Sequence, residues 1–208
     1  MGVGAKKMDK QDNSILALPI AFKIFKSLVI GKYYAAFISE YVKPKNGDRI
    51  LDIGCGYGDI LDYLPEVDYS GFDMNKRYID AAIKRYGDKG HFFCGAIGSL
   101  ILEQKQHFDI VMAIGILHHL EDDEVLDLFK FAKSVLKPNG IMVTIDPCYA
   151  DKQSVLARYL FSNDRGKFIR SEEAYVSLAS NLFKEIRLCK RHDLLRVPYT
   201  NIILQCRN

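Results

Sequence analysis

Leu51-Asp52-Ile53-Gly54-Cys55-Gly56-Tyr57-Gly58-Asp59 is the stretch that decides how this 208-residue chain folds. Arg49 to Ile53 reads as a short buried strand, and Gly58 to Leu64 has helical spacing that stops at Pro65. A glycine-rich turn between strand and helix is the context that gives such a motif meaning. Glycines at 54, 56 and 58 let the backbone turn sharply and approach a ligand with no Cβ in the way. A dinucleotide site requires Gly-x-Gly-x-x-Gly, with a helix N-terminus facing the pyrophosphate. Counted from Gly54, the third glycine falls on Asp59, an acid that a pyrophosphate disfavours. Asp52 is anionic too, and suits a cationic ligand.

Outward from this turn, strand-like and helical patterns alternate. Tyr69–Asp73 reads as a strand, Asn75–Tyr86 as a helix closed by Gly87, and His91–Cys94 as a third strand. Phe108–Ile114 is a continuous apolar run, as expected of a strand covered on both faces. Asp122–Leu136 is an amphipathic helix with acids in its first turn and Lys137-Pro138-Asn139-Gly140 as its stop. Gly140–Asp146 is a fifth strand, Ser171 caps a helix ending near Asn181, and Lys184–Leu188 and Asn201–Cys206 are closing strands. This alternation predicts an α/β fold, with ligands at the carboxyl ends of the strands. The length fits a single domain over 1–208. It divides into a helical arm or lid (1–45), a ligand-binding core (46–146), a substrate-covering segment (147–171) and a closing helix and strands (172–208).

The glycine turn resembles motif I of the class I S-adenosylmethionine-dependent methyltransferases, and further motifs of that family follow in order. Asp73 ends the second strand, 15 residues beyond Gly58. Phe108-Asp-Ile-Val-Met-Ala-Ile-Gly-Ile-Leu-His-His-Leu120 resembles the family's fourth strand and the segment after it. Leu136-Lys-Pro-Asn-Gly-Ile-Met-Val-Thr-Ile145 resembles its turn into the fifth strand. The resemblance implies a Rossmann-like, doubly wound, seven-stranded and mainly parallel sheet with an antiparallel last strand. It implies S-adenosyl-L-methionine as cofactor and S-adenosyl-L-homocysteine as product. Asp52, Gly54, Cys55 and Gly56 would line the methionine end, with Ile114 and Gly115 beside them, and Asp73 would hold the ribose hydroxyls. Met74 would lie beside the adenine. Family members often carry Asp after the third strand for the adenine amino group. Here Ala96 takes that place, so adenine recognition would rest on backbone groups and Ile97.

Methyl transfer from a sulfonium needs alignment and desolvation more than acid–base work. A base matters when the acceptor carries a proton at neutral pH. His118 and His119 stand after the fourth strand where an imidazole could serve, and only one of two adjacent residues is expected to face the crevice. Asp122, Asp123 and Glu124 could hold a metal, but they fill a helix first turn, where carboxylates suit the dipole. No metal is expected. Asp146-Pro-Cys-Tyr149 resembles the Asp-Pro-Pro-Tyr loop of amino-methylating enzymes, displaced from the fourth strand to the fifth. Cys148 reads as a small buried residue rather than a nucleophile. Asp146 and Tyr149 are expected at the acceptor pocket, with Tyr33 from the arm. Arg165 and Arg170 form either a solvated loop or a clamp for an anionic acceptor.

Composition bounds these readings. Apolar residues make up 49% and charged residues 26%, as in ordinary globular proteins. The formal charge of +3 does not argue for nucleic acid as partner. Five scattered cysteines with no Cys-x-x-Cys pair signal neither zinc nor a disulfide framework, and imply a reducing cytoplasm. Lys23, Lys26 and Lys32 interrupt the only apolar region near a membrane-span length. A small-molecule acceptor is the main reading. A non-catalytic cofactor-binding module and an RNA methyltransferase using the basic arm are its rivals, and a nicotinamide oxidoreductase is disfavoured by Asp59. The sequence assigns no acceptor and no oligomeric state.

Overall fold

The computed structural model describes residues 33–95, 107–149, 166–195 and 199–208. Five parallel strands form the core of one sheet: β1 (Arg49–Ile53), β2 (Asp68–Asp73), β3 (His91–Cys94), β4 (Phe108–Ile114) and β5 (Leu136–Tyr149). A two-residue β6 (Arg170–Ser171) pairs with the end of β5, and β7 (Glu185–Arg191) and β8 (Asn201–Arg207) close the sheet. The order along the main path is β3-β2-β1-β4-β5-β8-β7, with β8 antiparallel to both its neighbours. Seven strands on that path and an antiparallel last strand are what the family resemblance implies. The order reverses at β1 and β4, so their carboxyl ends diverge into a crevice there.

Helix α1 (Tyr33–Ala36) runs on as a π-helical segment (Phe37–Val42), and α2 (Lys76–Tyr86), α3 (Asp122–Val135) and α4 (Glu172–Ser180) follow. β1 alternates between two cores, which is why it carries apolar residues on both faces. Leu51 and Ile53 join a cluster with Val125, Leu128, Phe129 and Ala132 of α3. Ile50 joins Phe37, Ile38 and Tyr86 on the opposite side. The buried positions of α3 repeat at helical spacing, and Glu124 accepts a hydrogen bond from the Glu121 N–H (2.8 Å) at its start. Asn75 caps α2 by accepting from the Arg77 N–H (3.0 Å), and Ser171 caps α4 by accepting from the Ala174 N–H.

Three elements differ from the sequence reading by more than a residue at an end or in type. Gly58–Leu64 is a single 3₁₀ stretch (Asp59–Tyr63) rather than an α-helix. Pro65 holds Leu64 extended (φ −87°, ψ 147°), and five residues cannot close enough i→i+4 bonds. β5 begins at Leu136 and runs to Tyr149, because β4 pairs with Leu136 and then, across a bulge holding Lys137–Gly140, with Ile141–Ile145. β7 extends three residues past Leu188, drawn on by its ladder with β8.

Candidate active site

Parallel pairing sets the ends of β1, β2, β4 and β5 side by side, with Ile53 opposite both Phe72 and Ala113 and Ile114 opposite Ile145. The glycine turn leaves β1 at this level. Gly54, Gly56 and Gly58 all have positive φ (76°, 54° and 72°), as does Gly115 after β4 (63°). The Gly54 and Cys55 N–H groups both donate to Phe72 O, which fastens the turn to β2. A Cβ on Gly54 would lie 2.7 Å from Ile116 Cδ1, whereas a Cβ on Gly56 would meet nothing within 4 Å. The Gly56 backbone therefore faces open space. Its N–H donates to Asp73 Oδ2 (3.0 Å), and Asn75 N–H donates to Asp73 Oδ1 (2.7 Å). Two backbone donors fix the half-buried carboxylate, and each oxygen keeps a lone pair for a diol. Met74 beside it is 78% exposed, and the Cys94 thiol donates to its carbonyl.

Asp52 sits inside β1 with 2% of its surface exposed. Tyr69 OH donates to its Oδ2 (2.7 Å), while Oδ1 has no partner among the described residues. Burial pushes this carboxyl up to about 7, against the Tyr69 hydrogen bond and with help from Asp73. An orphaned buried acceptor and a cradle open at Gly56 fit the cationic methionine end and the ribose of S-adenosylmethionine. The Cys55 side chain packs toward Gly71, where an added Cβ would be 2.9 Å from its sulfur, so only its backbone borders the crevice.

The second half of the site lies beyond Gly115. A 3₁₀ turn (Leu117–His119) buries His118 to 6% exposure and leaves His119 outside. His118 Nδ1 is 2.8 Å from Asp146 Oδ1, and the His118 backbone N–H donates to the same oxygen (3.2 Å). A carboxylate accepts, which assigns the proton to Nδ1. Asp146 is 1% exposed at the end of β5, and its Oδ2 has no partner among the described residues. Burial raises its carboxyl while the bonds from His118 lower it, with a net rise. Tyr33 reaches this corner from α1. Its phenol is pushed well up by burial, then by Tyr34, Asp146 and Tyr199. The His119 ring lies 4.1 Å from that of His118, and Phe168 N–H donates to His118 O (3.0 Å).

A protein-family profile described as "Methyltransferase domain" matches residues 50–140. These residues form a class I methyltransferase domain. The ubiquinone biosynthesis O-methyltransferase of Bradyrhizobium diazoefficiens is 35% identical over 103 residues, covering 47% of this chain and 39% of that protein. The Pelagibacter ubique enzyme of the same name is 30% identical over 129 residues, covering 60% of this chain and 51% of its own. The chain thus matches about two-fifths to a half of the length of these relatives. A geranyl diphosphate C-methyltransferase from Streptomyces coelicolor superposes with a TM-score of 0.66 at 14% identity (83% of this chain, 78% of that one). A S-adenosylmethionine-dependent methyltransferase from Methanosarcina mazei gives 0.62 at 18% (79% and 94%). Both likenesses concern the fold.

Within this methyltransferase domain and its flanks, the sequence-derived residues fall into separate groups. Asp52, Gly54, Gly56, Asp73, Ile114 and Gly115 gather around the glycine turn, and His118, Asp146 and Tyr33 around the second corner. Tyr149 is 47% exposed at the tip of β5. Ala96, Ile97 and Arg165 lie outside the described residues. Arg170 does not extend toward an acceptor: it is 8% exposed and bonded to Leu117 O, Leu120 O, Phe168 O and Asp122. Cys148 is fully buried, and burial pushes its thiol up to about 11, which leaves it protonated. Among the described residues no group of three or more His, Cys, Asp or Glu is placed to hold a metal, and no helix is long and apolar enough to cross a membrane. Sequence reasoning missed Tyr69 and Gly166. The signal for Tyr69 was available, since a carboxylate in a buried strand demands a donor, but the register of β2 was not.

Proposed function

We propose that the protein transfers the methyl group of S-adenosylmethionine to a proton-bearing atom, most simply a hydroxyl oxygen, of a small-molecule acceptor. The observation that carries this reading is the buried His118–Asp146 pair, one strand-end away from the glycine turn. S-adenosylmethionine, when bound, supplies a methyl group already activated on a sulfonium, open to in-line displacement. The chain supplies the rest. Asp73 accepts from the ribose hydroxyls, and the Gly56 backbone lets the ligand lie close. Asp52 Oδ1 offers a buried acceptor to the cationic end. Asp146 holds the proton of His118 on Nδ1, which makes Nε2 the basic nitrogen of the ring and the atom to take the acceptor's proton, and it stabilises the imidazolium that results. Transfer to oxygen agrees with the names of the relatives, both O-methyltransferases.

The test is formation of S-adenosylhomocysteine by the purified protein over a panel of catechols, phenols and hydroxy acids, repeated with His118→Gln. The variant is expected to lose about 10²–10⁴-fold in kcat on any accepted substrate, the contribution of a general base, while binding the cofactor as before. A fully active His118→Gln protein would remove the base from this account. Cofactor binding with no transfer to any acceptor would favour the non-catalytic module.

A further inference from the structure

Arg170 buries a guanidinium whose N–H groups are all directed at the chain itself. Nε (2.8 Å) and Nη2 (2.7 Å) engage Asp122 Oδ1. Nη1 donates to Leu117 O (2.8 Å) and Phe168 O (3.1 Å), and Nη2 to Leu120 O (2.7 Å). Leu117 and Leu120 bracket the turn that carries His118. Between them, His118 O accepts from the Phe168 N–H. Arg170 is in turn held beside Cys148 by the pairing of β6 with β5, two residues past Asp146. One side chain therefore fastens the turn after β4 to the strand that bears its carboxylate partner. The adjacent Gly166 closes on the ring, since a Cβ there would lie 1.9 Å from His118 Cδ2.

We propose that Arg170 is a positioning residue: it fixes the Leu117–Leu120 turn so that His118 Nδ1 points at Asp146. The inference rests on the reading of His118 as the base. Tying two segments together does not require a cation. Apolar packing does so without the desolvation cost of a guanidinium whose carboxylate partner among the described residues, Asp122, is 71% exposed. A planar fork that meets three backbone carbonyls at once has a geometric task, which the ammonium of lysine cannot reproduce.

The experiment reads the imidazole directly. Long-range ¹H–¹⁵N correlation spectra of the full chain distinguish the two neutral tautomers, and His91, His107 and His192, outside this turn, serve as internal references. The unmodified protein is expected to show His118 protonated on Nδ1, with a slowly exchanging proton. Arg170→Lys and the volume-matched Arg170→Met, both checked for folding by circular dichroism, are expected to lose that resonance while His91, His107 and His192 stay unchanged. Asp122→Ala retains all three carbonyl contacts and is expected to keep it. In the transfer assay, kcat of Arg170→Lys is expected to fall about tenfold, part of the ~10²–10⁴-fold that a general base contributes, with KM for S-adenosylmethionine unchanged.

A folded Arg170 variant that keeps the Nδ1 tautomer overturns the proposal. Global unfolding of both variants overturns it too, because a task confined to the His118 turn leaves the two cores intact. Loss of the tautomer combined with undiminished transfer by His118→Gln sinks the base alone, and leaves the positioning role standing.

Discussion

Asp52 is a carboxyl group in the middle of an apolar strand, and its environment makes a stability prediction. With a folded value of about 7 against an ordinary 3.8, the folded chain keeps this proton through a range in which the unfolded chain has released it. The unfolded state then binds fewer protons, so stability is greatest below about pH 4 and is lost as pH rises to 7. Two pK units lie between pH 5 and 7, which at 1.36 kcal/mol each is about 3 kcal/mol. Asp146, also raised by burial, acts in the same direction. Urea unfolding of the ligand-free protein should give a lower stability at pH 8 than at pH 5. Asp52→Asn, which still accepts from Tyr69 OH, should remove about 3 kcal/mol of that difference. Parallel pH profiles for the two proteins would mean that Asp52 is ionised in the folded state. A carboxylate in a buried strand was visible in the sequence as an anomaly. Its consequence depends on Tyr69, which only the pairing of β1 with β2 brings within 2.7 Å.

At the scale of elements, α3 shows what periodicity can and cannot say. Its buried positions Val125, Leu128, Phe129, Ala132 and Val135 repeat every three or four residues, so both its existence and its inward face were legible. The partner of that face was not. Phe129 meets Phe183, which follows α4, edge-on at 5.9 Å. Phe129→Ala should cost about 3–5 kcal/mol in denaturant unfolding, because α3 is pinned between the sheet and α4 and cannot collapse into the gap. A loss below about 1 kcal/mol would show that the layer repacks. β3 and β4 were also read at their observed bounds, since apolar composition and flanking turns define a strand locally. The bulge before Ile141 and the two residues of β6 were not, because each is decided by pairing across the sheet, and the 3₁₀ stretch was read only as helical spacing, its type set by Pro65 and its five-residue length. The same applies to Arg170. Three cations in six residues read equally as a solvated loop or a clamp, and the bonds that fix its real place come from Leu117, Leu120 and Asp122, about 50 positions away.

For the whole molecule, the reversal of strand order between β1 and β4 is what gathers the glycine turn, Asp73 and the His118–Asp146 pair into one crevice. The fold thereby couples ligand occupancy to global stability. S-adenosylmethionine at 100 times its dissociation constant should add about 2.7 kcal/mol to the folded state. For a chain of this size that is a midpoint rise of roughly 5–11 °C in a thermal melt. S-adenosylhomocysteine should act similarly. NAD should not, because Asp59 stands where its pyrophosphate needs a glycine and an uncharged helix start. Gly56→Ala separates the ligand from the fold. Its added methyl meets no protein atom within 4 Å, so the cost to the folded chain is the left-handed strain of φ 54°, about 1–2 kcal/mol. That methyl stands in the open cradle, so the variant should melt a few degrees lower and lose most of the rise with S-adenosylmethionine. A full rise in Gly56→Ala would place the ligand away from the glycine turn. A rise with NAD alone would overturn the assignment of the crevice, since the same backbone would then be cradling a pyrophosphate beside Asp59.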